Sequence, residues 1–198
     1  MAKNSHDVFL RTYRCNVWGC RKKAIMVKLY TSPIGVLLLG SFEDSLCLCD
    51  WRTTAETAGH SRRIDEQLQT RLSATYREGT SEVIETAQSQ LEEYFAGKRT
   101  SFQVPLLFSG TDFQRAVWQE LLQIPYGSTL SYKDLAFRVG KPTAIRAVAN
   151  ANNANPISVI VPCHRVMGSN HKLTGYGGGL AIKQQLLCLE TSTLTSRP

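Results

Sequence analysis

No stretch of this 198-residue chain approaches the ~18 consecutive apolar residues of a membrane-spanning helix, so no membrane association is expected. The opening MAKNSHDVFLRTYRCNVWGC has no continuous apolar core and no small-residue cleavage pattern, so secretion is not expected either. The reading is an intracellular protein of bacterial-type cytoplasm. A nucleus stays open, because the basic cluster CRKK does not separate the two. Metal-ligand spacing is also missing: Cys15 and Cys20 have four residues between them, Cys47 and Cys49 one, with no CxxC or HxxxH nearby. No zinc and no other cofactor is expected. In a reducing compartment the six cysteines should be mostly thiols. Cys47 and Cys49 lie in a strand-like run and Cys188 in a helix, where small buried hydrophobes are the plain reading. Acid is scarce: 16 Asp and Glu against 23 Lys and Arg leave a net charge of +7. That hints at a polyanionic partner, weakly, since the charge is scattered.

What is present is enough for one large domain or two small ones. Residues 1–23 read as an irregular basic extension. IMVKLY, GVLLLGSF and SLCLCDW are three short apolar runs, the first two parted by the turn TSPIG, which predicts a β-meander. Ile64, Leu68 and Leu72 predict an amphipathic helix between Ile64 and Tyr76. A firmer one starts near Ser81, carries Val83, Ala87, Leu91, Tyr94 and Phe95, and stops at Gly97. Residues 24–97 thus form an N-terminal α/β domain, 98–111 a linker broken by Pro105 and Gly110, and 112–198 a C-terminal domain. There Asp112 is expected to cap a helix with Phe113, Val117, Leu121 and Ile124 inward.

SYKDLAFRVG and TAIRAVANANNAN are two short helices joined across a glycine turn, the helix-turn-helix pattern. Ile145 and Val148 supply the buried side of the second. Its other positions, from Ala144 to Asn153, are short side chains except for Arg146. A major-groove reader presents several long polar side chains. This helix suits close approach to a minor groove with one Arg inserted, or else simple packing with Arg146 solvated.

VPCHRV poses the chemical question. ISVIV before it reads as a buried strand, so Cys163 lies at a strand end, where loops carry reactive groups into clefts. A neighbouring His can accept a thiol proton, and nearby positive charge lowers a thiol pKa and raises the thiolate population. On an extended strand adjacent side chains diverge, so His164 assists Cys163 only if the backbone turns or a water bridges them. From spacing alone a core cysteine remains the simpler alternative.

FQRAVWQEL, IPYGSTLSYKDLA, GKPTAIRAVANANNANP, VIVPCHRV and LTGYGGGLAIKQQLL, in that order from Asp112 to Glu190, together with YTSPIG near residue 30, resemble the O6-alkylguanine-DNA alkyltransferases. The resemblance implies an α/β fold of two domains: a small ribonuclease H-like sheet with helices, then a mostly helical, winged-helix-like domain holding the helix-turn-helix. It implies direct reversal of O6-alkylguanine, and of O4-alkylthymine, in double-stranded DNA by a monomer. Cys163 would accept the alkyl group in a single turnover. His164, Glu190 and a water would withdraw its proton, Asn155 would hold the turn, and Tyr132 would protonate or stabilise the departing guanine. Arg146 would fill the space of the flipped nucleotide. Lys133, Lys141 and Ser169 would contact substrate or phosphates. Tyr176, Gly177, Gly178 and Gly179 would line the base pocket, and the small GYGGG loop suggests a roomy one. Arg165 would pair with a carboxylate. Members that hold zinc use Cys and His of the N-terminal domain, and only Cys47 falls near such a position. Two rival readings are a lesion sensor that flips bases without transfer, and a helix-turn-helix regulator with a redox cysteine. A Cys/His hydrolase is a weaker third.

Overall fold

The computed structural model describes residues 23–52, 57–169 and 172–195. The expected basic extension, with Cys15 and Cys20, lies outside them except for Lys23, which opens the first strand. Strands β1 (Lys23–Ser32), β2 (Gly35–Phe42) and β3 (Ser45–Trp51) make the antiparallel meander. Helix α1 (Ala58–Leu72) ends before Tyr76, because Ser73 takes a left-handed conformation with φ 47° that stops the helix. The chain then forms a strand the periodicity did not announce, β4 (Ala74–Glu78), where Thr75 and Tyr76 suit a pleat. It runs parallel to β1, giving the order β3-β2-β1-β4.

Both sheet faces are covered, which explains why β2 and β3 read as unbroken apolar runs. On one face Ile64 and Leu68 of α1 pack against Ile25, Val27, Leu38 and Leu48. On the other, helix α2 (Glu82–Phe95) sets Ile84, Ala87, Leu91 and Tyr94 against Tyr30, Leu37 and Leu39. Ser81 caps α2 by accepting from the Ile84 N–H. Cys47 has no partner across β2, a bulge that leaves Leu46 and Cys49 facing the same core.

The free edge of β3 joins the two halves. Leu46 N–H donates to the Pro105 carbonyl at 2.8 Å, and the Leu46 carbonyl accepts from Leu107 N–H at 2.9 Å. Further along the edge, Cys49 N–H donates to the Pro156 carbonyl at 2.9 Å and its carbonyl accepts from Ser158 N–H at 2.6 Å. An unpaired edge is a liability; here it fixes the segment leading to Cys163.

Helix α3 (Asp112–Leu121) is capped by Thr111 rather than Asp112. Thr111 and Gln114 exchange side-chain and backbone hydrogen bonds in a capping box, leaving Asp112 in the first turn, where the helix dipole favours a carboxylate. Trp118 Nε1–H donates to the Ala151 carbonyl at 2.8 Å, tying α3 to a later helix. Strand β5 (Leu130–Ser131) leads into helix α4 (Tyr132–Arg138), which Gly140 ends at φ 72°. Helix α5 (Ile145–Asn153) completes the helix-turn-helix. Its buried side is Val148, Ala151 and Asn152, at i, i+3 and i+4, whereas Ile145 is 38% exposed. Ala151 and Asn152 therefore do not face outward as expected. Strand β6 (Val166–Met167) pairs with β5, and helix α6 (Leu180–Thr195) closes the domain. Ile182, Lys183, Leu186 and Glu190 form its buried stripe; Cys188 lies off that stripe and is exposed, contrary to expectation.

Candidate active site

ISVIV is buried throughout but is not a strand. After one bridge from Ile157 to Cys49 the chain turns, with Val159 at φ 71°. Asn155 holds the turn. Its Oδ1 accepts from Ile157 N–H at 3.0 Å, and its Nδ2 donates to the Val161 carbonyl at 2.9 Å and to Cys163 Sγ at 3.2 Å. Cys163–Arg165 is then a single 3-10 turn. The backbone bend that a Cys–His partnership requires is therefore present, and a turn, not a strand end, delivers the thiol.

His164 is fully buried, and its Nε2 lies 2.9 Å from Glu190 Oε1. The carboxylate also accepts a two-pronged bond from Arg165, with Nε 3.0 Å from Oε2 and Nη2 2.9 Å from Oε1. Tyr94 Oη–H and Gly127 N–H add bonds of 2.8 and 2.9 Å. A buried carboxylate is tolerable only with such a complete set of donors. Burial pushes the Glu190 carboxyl up, but the bonds from His164 and Arg165 outweigh it and hold the group at about 2. Burial lowers the His164 pKa from its ordinary value despite Glu190. The imidazole is therefore neutral. With Nε2–H donating to the carboxylate, Nδ1 keeps its lone pair, and this atom is buried without a partner among the described residues.

The thiol differs from the sequence-based expectation. Burial pushes Cys163 up to about 11, and the Asn155 amide and Lys183 charge offset only part of that. At rest it is a neutral thiol, 4% exposed, and a thiolate has to be made during reaction. Lys183 carried no sequence signal beyond a basic residue in an apolar helix. It is wholly buried, donating to the Val166 and Thr174 carbonyls at 2.6 and 2.7 Å. Burial pulls its pKa down to about 8, with Cys163 opposing the shift.

A cleft of about 190 Å³, its open mouth included, leads to Cys163 between Asn152 and Asn153 of α5 and the loop Gly175–Gly177. That space is crevice and open mouth with no void large enough for a water molecule, so the roomy pocket is not found. The reason is that the glycines receive side chains from the other domain. A Cβ on Gly177 would run into the His60 ring, and one on Gly178 into Trp51. Tyr176 is buried, its hydroxyl accepting from Trp51 Nε1–H at 2.9 Å. Tyr132 reaches the same loop, its hydroxyl donating to the Gly175 carbonyl at 3.3 Å. Arg146, Lys133, Lys141 and Ser169 are all exposed, apart from the buried group of Cys163, His164, Glu190 and Asn155. Among the described residues no cluster of three or more His, Cys, Asp or Glu could hold a metal ion.

A helix-turn-helix whose second helix borders the cleft of a buried cysteine is the layout of a DNA-binding protein built around one thiol. Comparison with known proteins makes this specific. The description "6-O-methylguanine DNA methyltransferase, ribonuclease-like domain" matches residues 25–108, and the same family's "DNA binding domain" matches residues 112–192. The methylated-DNA–protein-cysteine methyltransferase of Methanosarcina barkeri is 47% identical over 163 residues, covering 82% of this chain and 95% of that one. The crystal structure of the Mycobacterium tuberculosis O6-methylguanine methyltransferase superposes with a TM-score of 0.69 at 42% identity, covering 85% and 94% of the two chains. Mycobacterium tuberculosis OGT in complex with DNA matches with the same score at 43% identity, covering 86% and 94%. This chain belongs to the 6-O-methylguanine DNA methyltransferase family.

Proposed function

We infer that this protein repairs DNA by moving an alkyl group from O6 of guanine onto its own Cys163. The observation that carries this is the Cys163 thiol bound by Asn155 at the cleft bordered by α5, next to the His164–Glu190 pair. In the step, Sγ forms a bond to the alkyl carbon while the C–O6 bond breaks. The thiol proton passes through a water to His164 Nδ1, and Glu190 stabilises the imidazolium. The guanine takes up a proton as it leaves, with the Tyr132 hydroxyl as donor. The asymmetry of pKa values supports this order: a thiol at about 11 beside a neutral imidazole does not ionise until a substrate drives the transfer.

The target base reaches Cys163 only outside the duplex stack, at a cost of a few kcal/mol, least for a poorly pairing alkylated base. Arg146, in the first turn of the short-side-chain helix α5, fills the space left behind, and Lys133, Lys141 and Ser169 hold the backbone. The narrow cleft has to widen to admit the base. The same displacement serves O4-alkylthymine. The thioether product is inert to water, so each molecule acts once. One chain supplies every group this step uses, which supports action as a monomer.

Mixing the protein with duplex containing O6-methylguanine should add one methyl's mass to the peptide bearing Cys163. Cys163→Ala should abolish the gain while leaving DNA affinity nearly unchanged. Absence of the gain with normal DNA binding would favour a lesion sensor instead.

A further inference from the structure

Among the described residues, His60 is the single lining residue of the Cys163 cleft that comes from the N-terminal domain; the others, Asn152 through Gly177, are all C-terminal. It stands in the first turn of α1 with its side chain 13% exposed, and its ring occupies the space a Cβ on Gly177 would need. Its ties are loose. Nδ1 is 3.3 Å from Arg63 Nη2, and Nε2 is 4.0 Å from Asp50 Oδ1, a buried oxygen without a partner among the described residues. Neighbouring Trp51 is by contrast pinned to Tyr176 at 2.9 Å.

These features separate the walls of the cleft by stiffness. Asn155, Ser158 and Cys163 belong to a turn bonded to the β3 edge, and Asn152 is buried in α5. Tyr176 is fixed by Trp51. Unlike Tyr176, the His60 ring can swing aside without breaking a short hydrogen bond, and Gly177 has no side chain to stand between it and the thiol. We propose that His60 is a specificity-determining residue, the wall that limits the size of the alkyl group delivered to Cys163. A methyl group asks the ring for a small shift, whereas a benzyl group has to displace it entirely. The inference rests on the alkyl-transfer reading above and deepens it.

The test compares single-turnover transfer from two otherwise identical duplexes, one with O6-methylguanine and one with O6-benzylguanine. Unaltered protein, His60→Ala and His60→Phe are each followed by the mass of the Cys163 peptide, with melting temperature measured alongside. Removing the ring should raise the benzyl-to-methyl rate ratio by about tenfold or more, and His60→Phe should lower it, as expected for a pocket that gains or loses space. A purely structural role would change both rates by a common factor and leave the ratio alone. A ratio within about twofold of the unaltered protein's in both variants overturns the proposal while methyl transfer stands. No transfer from either duplex by the unaltered protein would instead remove the alkyl-transfer reading, and this inference with it.

Discussion

Asn155 does two jobs with one amide, and they can be separated. Its Oδ1 and one Nδ2 bond hold the turn between Ile157 and Val161, while the second Nδ2 bond reaches Cys163 Sγ. Asn155→Ala should cost about 1–3 kcal/mol of stability in denaturant titration, because a buried N–H and a buried carbonyl lose their partner. Asn155→Asp keeps the Oδ1 bond but turns a donor beside the thiol into an anion. It should slow alkyl transfer in a single-turnover assay by more than its effect on DNA binding. The pH profile carries a second residue-scale consequence. His164 accepts the proton only while neutral, and burial has moved its pKa below the ordinary 6.5. The sign follows: transfer holds its rate as pH falls through 6.5 and declines only at lower pH, where His164 protonates. A decline centred above 6.5 in transfer rate would rule out a buried neutral His164 as the acceptor.

Elements in this fold start and stop through local backbone chemistry, and Ser73 is the clearest lever. It ends α1 at φ 47° with an exposed side chain, a conformation that glycine adopts without strain. Ser73→Gly should raise stability by about 0.5–1 kcal/mol, read as a higher denaturation midpoint at unchanged transfer rate. The same position shows where the sequence was readable. Strands β1 to β3, the Ser81 cap, Gly97 and the helix-turn-helix all announce themselves by period and punctuation. Ser73 does not, since left-handed serine has no distinct signal, and β4 was hidden behind it. ISVIV failed for a related reason: five apolar residues show burial but not shape, and the turn depends on Asn155 and on pairing with β3, a contact distant in sequence. At the site, Cys163, His164, Asn155 and Glu190 were legible through the family resemblance, with Glu190 26 positions from His164. Lys183 and His60 were not, because their roles come from burial and from a contact between domains.

The whole molecule is a clamp of two domains on a cleft without spare room, and the reaction ends by leaving an added group inside it. Trp51 and His60 press on the Tyr176–Gly178 loop from one side, Tyr94 of α2 bonds Glu190 behind the relay, and β3 carries Ser158 beside the thiol. A methyl on Sγ has to push outward against a close-packed wall and crowds the Asn155 bond. Overpacking of this kind costs about 1–3 kcal/mol. For a chain of this size each kcal/mol lowers the melting temperature by about 2–4 °C. The alkylated protein should therefore melt roughly 2–12 °C below the free thiol form when both are measured without DNA. Helix α5 is tied to the reacting residue, its Asn152 Nδ2 reaching the Cys163 carbonyl at 3.5 Å. Strain at the sulfur then passes into the helix that holds Arg146, and the alkylated form should bind duplex more weakly than the unreacted protein in a direct titration. Equal melting temperatures with equal DNA affinity would mean that the cleft relaxes around the product. In that case the two domains hold it less tightly than their contacts imply.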